Sequence, residues 1–278
     1  MTKMETDIEQ WNTMNRIPGT ASADRLRAAL SGLVEKYTVP APPAWTLHAA
    51  PQDTAGPHTM FPGWTALDRP PAAGCVPLLP WRSERRFVEL RRLVDDQVVT
   101  PVRMARFACQ TDGASLDLAA ILYREFDLAE WLLRSRICSI AASITGPIAN
   151  GIVRLTNDVV CGIESGAGLP PGTAMIDRHE LIAGRGVACD RGVDTQIPQD
   201  SVYAFTAEGT ARYTDADAEL FGLEPGEVPL VRAAYETLLH PERADFLRQQ
   251  HRRLAALVRL AFESDRRGQR LAVEGEHA

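Results

Sequence analysis

The chain has 278 residues, 45% of them apolar and 24% charged, with a formal net charge of −6 and a sequence pI near 5.6. A chain of this length and composition can bury a sizeable core without staples. Its acidity excludes nucleic acid or an anionic membrane as the main partner, because neutralising phosphate needs a basic face. Five cysteines, at 75, 109, 138, 161 and 189, are odd in number and lack CxxC spacing, which predicts reduced thiols in a cytoplasmic protein. No apolar stretch approaches the ~20 residues that span a bilayer. The polar start Met1–Gln10 does not read as a signal peptide.

In chain order, the first element is a helix in which Leu26, Leu30, Leu33 and Val34 share a face and Ser22 is placed to cap it. From Val39 to Pro80 the sequence is dense in Pro, Gly and lone aromatics. It predicts an irregular, partly extended arm carrying Trp45, Phe61 and Trp64. A helix is expected over Glu84–Asp96, a strand over Val98–Cys109 and a helix over Ser115–Leu133 with Ala119, Leu122, Phe126, Ala129 and Leu133 on its face. Strands follow at Ile137–Ile144, Gly151–Leu155, Val159–Glu164, Ala174–Ile182 and Ser201–Thr206, with Asn157-Asp158 as a hairpin turn. A long amphipathic helix, with Phe246, Leu254, Leu257, Val258 and Ala261 on one face and Gly268 as its stop, closes the chain. This order predicts an α+β fold: an open, largely antiparallel or mixed sheet with helices on one face, plus the N-terminal arm. The expected division is an arm over 1–80 and an α+β domain over 81–278. The uncovered sheet face would suit oligomerisation.

Three segments resemble the Gfo/Idh/MocA oxidoreductases. RSERRFVELRRLVDDQVVTPVRMARF, from Arg82, resembles the helix and strand that follow their nucleotide domain. YREFDLAEWLL, from Tyr123, resembles their helix HDxDLARWLL. The run from Asn150 to Asp190, NGIVRLTNDVVCGIESGAGLPPGTAMIDRHELIAGRGVACD, resembles their sheet. The resemblance covers about 75–268 and implies the substrate and oligomerisation domain. The family's opening strand, GxGxxG-type turn and helix, which hold a pyrophosphate, have no counterpart. Gly19, Gly32, Gly56 and Gly63 are isolated, and the EKP segment is missing. The family's catalytic His falls on Arg124, which cannot exchange protons as a base, and the matching Asp position on Ala120. Asp117 lies one turn earlier as a substitute. The expectation is a chain that holds no NAD(P) or other cofactor by itself and has lost or reduced its nucleotide domain.

Among the residues themselves, Asp177-Arg178-His179-Glu180 is the densest polar segment. In a strand, Asp177 and His179 face one way and Arg178 and Glu180 the other. His179 with Asp177, or Asp117 with Arg124, could transfer protons. The same residues also fit a surface ion-pair cluster, and Arg124 and Asp127 an i,i+3 pair on a wet helix face. Asp190, Arg191, Asp194, Gln196, Gln199 and Tyr203, with Arg178 and Glu180, could line a sugar, cyclitol or polyol pocket, or an interface loop. The carboxylates in YTDADAEL, from Tyr213, lack EF-hand spacing and suit a turn and helix start capped by Thr214 or Asp215. Scattered histidines offer no metal motif. Three readings remain: an accessory subunit or homo-oligomer pairing through its open sheet, with itself or with a full-length Gfo/Idh/MocA subunit; a redeployed, cofactor-independent dehydratase, epimerase or cyclase of specialised metabolism; or one subunit of an active heteromeric NAD(P)-dependent oxidoreductase.

Overall fold

The structure is a computed structural model. It describes residues 23–40, 45–48, 59–68, 71–113, 116–173, 175–190, 202–206, 209–213, 220, 222–223 and 226–275. Helix α1 spans Ala23–Lys36 and buries Leu26, Leu30 and Leu33; its predicted cap, Ser22, lies outside the described residues. Three short strands follow, β1 (Thr46–Leu47), β2 (Thr59–Pro62) and β3 (Cys75–Leu78). They form a parallel sheet in the order β1-β2-β3. Extended backbone in this region was expected, but its organisation as a sheet was not. The strands are two to four residues long, and Pro62 and Pro77 sit within them, so period-2 patterning never accumulates.

The main sheet has seven strands in the order β12-β5-β6-β7-β4-β8-β9. These are β4 (Val102–Gln110), β5 (Ile137–Thr145), β6 (Ile148–Leu155), β7 (Val160–Gly166), β8 (Ile176–Ala183), β9 (Gly186–Cys189) and β12 (Leu271–Ala272). All pairings are antiparallel except β4 with β7. A separate antiparallel hairpin joins β10 (Val202–Thr206) to β11 (Gly209–Tyr213). Asp158 turns the chain from β6 into β7 with φ +66, in keeping with the turn expected at Asn157-Asp158. The fold is therefore α+β with an open mixed sheet, as the order of elements predicts.

Helices α2 (Arg85–Asp95), α3 (Leu118–Leu133), α4 (Glu227–Leu239) and α5 (Ala244–Arg267) complete the molecule. Helix α3 lies against β4–β7 and packs on α2 and α5. It is buried almost all round, Arg124, Glu125, Asp127 and Glu130 included. One apolar cluster runs from α1 and β1–β3 through α3 and the sheet to α4 and α5. Helix α5 ends where Gly268 adopts φ +60, the left-handed cap that favours glycine. Two expectations are corrected. Phe246 is 42% exposed instead of sharing the buried face of α5, its ring lying beside the Arg82 guanidinium. Helix α4 is absent from the predicted order, because its apolar positions are interrupted by Pro229, Arg232 and Glu236. The helix start expected at Thr214 or Asp215 lies outside the described residues. No helix among the described residues is long and apolar enough to cross a membrane.

Gly63 opens the turn after β2 against α3, and a Cβ there would overlap the Tyr123 hydroxyl, which is hydrogen-bonded to His251 Nδ1 at 3.0 Å. Gly63→Ala should destabilise the fold by about 1–3 kcal/mol through overpacking, measured by urea denaturation. The penalty should shrink in a Tyr123→Phe background, where the overlapping oxygen is gone.

Candidate functional site

The alternation of β8 carries the site. Asp177, His179 and Leu181 are buried against α3, while Ile176, Arg178 and Glu180 look to the open face. His179 is 0% exposed. Its Nδ1 lies 2.7 Å from Asp190 Oδ2 and its Nε2 2.9 Å from Glu125 Oε2. The Asp190 carboxylate also accepts the His179 backbone N–H at 2.8 Å, so the residue ending β9 is fastened to β8. Phe87 and Phe107 meet the imidazole edge-on at 4.7 and 4.8 Å between ring centroids.

Arg124 donates from both terminal nitrogens to Asp177 at 2.9 and 2.7 Å and from Nη1 to Glu125 at 2.7 Å. Such two-point pairing is the strong form of the charge-assisted bond. Arg86, from α2, donates to Asp177, to Asp190 at 3.3 Å and to Glu84 at 2.8 and 2.9 Å. Its guanidinium lies over Phe87, 4.3 Å from the ring centre.

These contacts fix the protonation states. Burial opposes the His179 imidazolium, but the Glu125 charge, the hydrogen bonds with Asp190 and Glu125 and the Asp177 charge outweigh it and raise the pKa to about 9. Burial likewise opposes the Asp177 carboxylate, yet Arg124, Arg86 and His179 hold it well below the ordinary range. Asp190 is held low against burial by its bond from His179 and by the charges of His179 and Arg86. The cluster thus places Arg86, Arg124 and His179⁺ against Asp177, Asp190 and Glu125, with Glu84 at its edge.

A second network lies further along α3. Asp127 accepts from Trp81 Nε1 at 2.7 Å, from Arg82 Nε and Nη2 at 2.8 and 2.5 Å, and from Gln250 at 3.1 Å. Glu130 accepts from Arg253 at 2.7 Å, Arg136 at 3.0 Å and the Ile137 backbone N–H at 2.9 Å. The proposed Arg124–Asp127 pair on a wet face is therefore corrected. Both residues are buried, and each has other partners.

Asp177, His179, Arg124 and Asp190 come together as one cluster. Asp117 does not join them: it is exposed and caps α3, accepting from the Ala120 backbone N–H at 2.8 Å. Arg178 and Glu180 pair with each other on the open face, with Arg106 3.8 Å from Glu180. Arg191, Asp194, Gln196 and Gln199 lie outside the described residues, as does the side chain of Tyr203, whose backbone belongs to β10. Sequence reasoning missed Glu125 and Arg86. Glu125 adjoins Arg124 in the chain, and Arg86 precedes the expected core residue Phe87, but neither has a local signal for a partner 54 or 91 residues away.

Cys109 Sγ and one oxygen each of Glu125 and Asp177 lie within 4.8 Å of one another. Two guanidinium groups and an imidazolium already neutralise these carboxylates, and burial pushes the Cys109 thiol up. The set does not suit a cation, which binds deprotonated donors.

No family model matches the sequence, and neither does any curated protein. Solved structures do match. The chain is similar to GenD2 from gentamicin A biosynthesis in complex with NAD (13% identity, 78% of this chain and 72% of that one, TM-score 0.57). It is also similar to a myo-inositol dehydrogenase from Corynebacterium glutamicum (10%, 93% and 79%, 0.56). A third is scyllo-inositol dehydrogenase from Lactobacillus casei with bound NAD(H) and scyllo-inositol (13%, 71% and 64%, 0.52). The fold is that of the Gfo/Idh/MocA-type oxidoreductases. The chain spans less than two thirds of the Lactobacillus casei enzyme. A dinucleotide in folds of this kind sits where the strand order of a parallel sheet reverses, on a glycine turn from strand to helix. Here β1-β2-β3 runs in one direction without reversal. Gly63 follows a strand but opens a four-residue 3-10 turn packed on Tyr123. Among the described residues no glycine turn leads from a strand into an α-helix.

Two predictions follow from the cluster's electrostatics. The folded-state pKa of His179 lies above its ordinary 6.5. Its contribution is therefore complete below about pH 6.5 and is lost as the pH rises towards 9. Urea titrations should show wild-type stability declining across that window, and His179→Gln should flatten the decline; equal slopes would refute the assignment. Arg124→Met leaves Asp177 with one fewer buried counter-charge and should cost about 3–5 kcal/mol, measured by chemical denaturation.

Proposed function

We propose that this chain is a Gfo/Idh/MocA-like protein that does not bind NAD(P) by itself and acts as an accessory or self-associating subunit, pairing through the open face of its main sheet. The observation that carries the reading is Arg124. It occupies the position that the resemblance gives to the catalytic His, is 1% exposed and is committed to Asp177 and Glu125. His179, the other candidate acid–base group, is enclosed with both ring nitrogens bonded to carboxylates. General acid–base catalysis needs a group within reach of a substrate proton, and neither residue has such reach in this packing. The one-directional β1-β2-β3 sheet is read as the reduced remnant of a nucleotide domain.

The open face supports the partner role. Its registers align Val187 with Ile182, Ile182 with Met104 and Met104 with Val160, giving an apolar row across four strands. Ile152, Ile148 and Ile176 add further exposed apolar side chains. Arg106, Arg154 and Arg178 share this face with Glu164 and Glu180. A face with both signs of charge can complement a second copy across a two-fold axis. The second copy is the occupant we favour; a full-length relative is the other outcome of the test.

The purified chain should show no thermal shift or calorimetric heat with NAD⁺, NADP⁺ or their reduced forms. A native-state ligand at 100 Kd would add about 2.7 kcal/mol, so stabilisation would refute the cofactor claim. In light scattering the wild type should be a dimer or larger. Met104→Lys with Ile152→Arg should shift it to monomer with unchanged circular dichroism. A monomeric wild type would transfer the reading to a heteromeric partner.

A further inference from the structure

Nothing within the chain calls for a glycine at position 162. Gly162 sits in β7 and belongs to the open face, with Cys161 and Ile163 buried on either side of it. Its φ lies outside the left-handed region that favours glycine. Among the described residues nothing comes within 4 Å of where a Cβ would stand. Glycine weakens the interior of a strand, and a β-branched residue would suit this position better. Such a glycine marks a place where something outside the sheet comes close. Gly166 looks the same way from the end of β7. There the Gln110 and Ile148 side chains approach the Cβ position at 3.5 and 3.7 Å, so the gap is shallower.

The neighbouring strand supplies the complement. The register of β6 with β7 sets Ile152 beside Gly162, Asn150 beside Glu164 and Ile148 beside Gly166. Ile148 and Ile152 are 48% and 49% exposed, so each gap adjoins a protruding isoleucine at its own level. We propose that two copies stack their open faces about a two-fold axis parallel to the strands and midway between β6 and β7, an arrangement that rests on the self-association read above. Rotation about that axis lays β6 of each copy over β7 of the other and keeps the levels. Ile152 then enters the gap at the partner's Gly162, and Ile148 meets the partner's Gly166. The Asn150 amide donates to the partner's Glu164 carboxylate. The Arg154 stem lies over the partner's Val160, its charge offset by Asp158. Each contact is made twice, as a two-fold interface requires. An axis one strand over, between β7 and β4, would set Gly162 against Arg106 and Ile152 against Glu180, leaving gap and knob unmatched.

Sedimentation velocity on the full chain tests the axis. The wild type should dimerise. Gly162→Ile fills the gap and should weaken the dimer at least about tenfold with unchanged circular dichroism. Ile152→Gly removes the knob and should weaken it similarly. The double variant exchanges knob and gap across the same axis, so it should return to within about threefold of the wild-type affinity. Should Ile152→Gly lose its fold, Ile152→Ala with Gly162→Val makes the same exchange. A Gly162→Ile variant that dimerises like the wild type, or a folded double variant that stays monomeric, would overturn the axis and leave pairing through the open face standing. A monomeric wild type would overturn the axis together with the self-association it rests on.

Discussion

Charge buried between α3 and β8 must close on itself. Arg124, Glu125, Asp177 and His179 are all within 3% of complete burial. An isolated ion there would lose several kcal/mol of solvation even after relaxation. The geometry answers this by matching three cations to three anions and spending both His179 ring nitrogens on carboxylates. The requirement reaches beyond the cluster. It fixes the rotation of α3, brings Arg86 of α2 onto Asp177 and Asp190 and Phe87 onto the imidazole, and ties the end of β9 to β8 through Asp190. Removing one member leaves another ion unmatched, whereas an apolar replacement of the whole set would not carry that penalty.

The same closure bears on chemistry. A proton-transfer group works when one of its positions is open to the substrate. His179 has neither nitrogen open, and the surrounding carboxylates favour its charged form. Arg124 is a permanent cation. The helix that carries Arg124 is continuous with the core. The fold is therefore a weak guide to activity, which lives in sites built upon folds.

Periodicity made much of this legible. The alternation of β8 separates Asp177 and His179 from Arg178 and Glu180, and the structure puts the two pairs on opposite faces. Helices α1, α2, α3 and α5 and strands β4–β8 follow from apolar spacing to within a few residues. What escaped has physical reasons. Strands of two to four residues contain too few alternations to signal, so β1–β3 read as an arm. Helix α3 is wrapped on all sides, so its Arg, Glu and Asp positions look like a solvated face when only local spacing is used. Their partners are tens of residues distant, and only the tertiary fold brings Glu125 to His179 or Arg82 to Asp127.

The cluster also governs the surface on the other side of the sheet. Side chains in a strand alternate with period two, so a one-residue slip of β8 against β4 would move His179 to the open face and Glu180 into the core. The bonds of Asp177 to Arg124 and of His179 to Glu125 oppose that slip on the core side. With the register held, Ile182 stands beside both Met104 and Val187 on the open face, and the apolar row is continuous. A loss of closure in the core would therefore break that row before it touched any residue in it. Core stability and the proposed subunit contact are thus linked through the register of one strand.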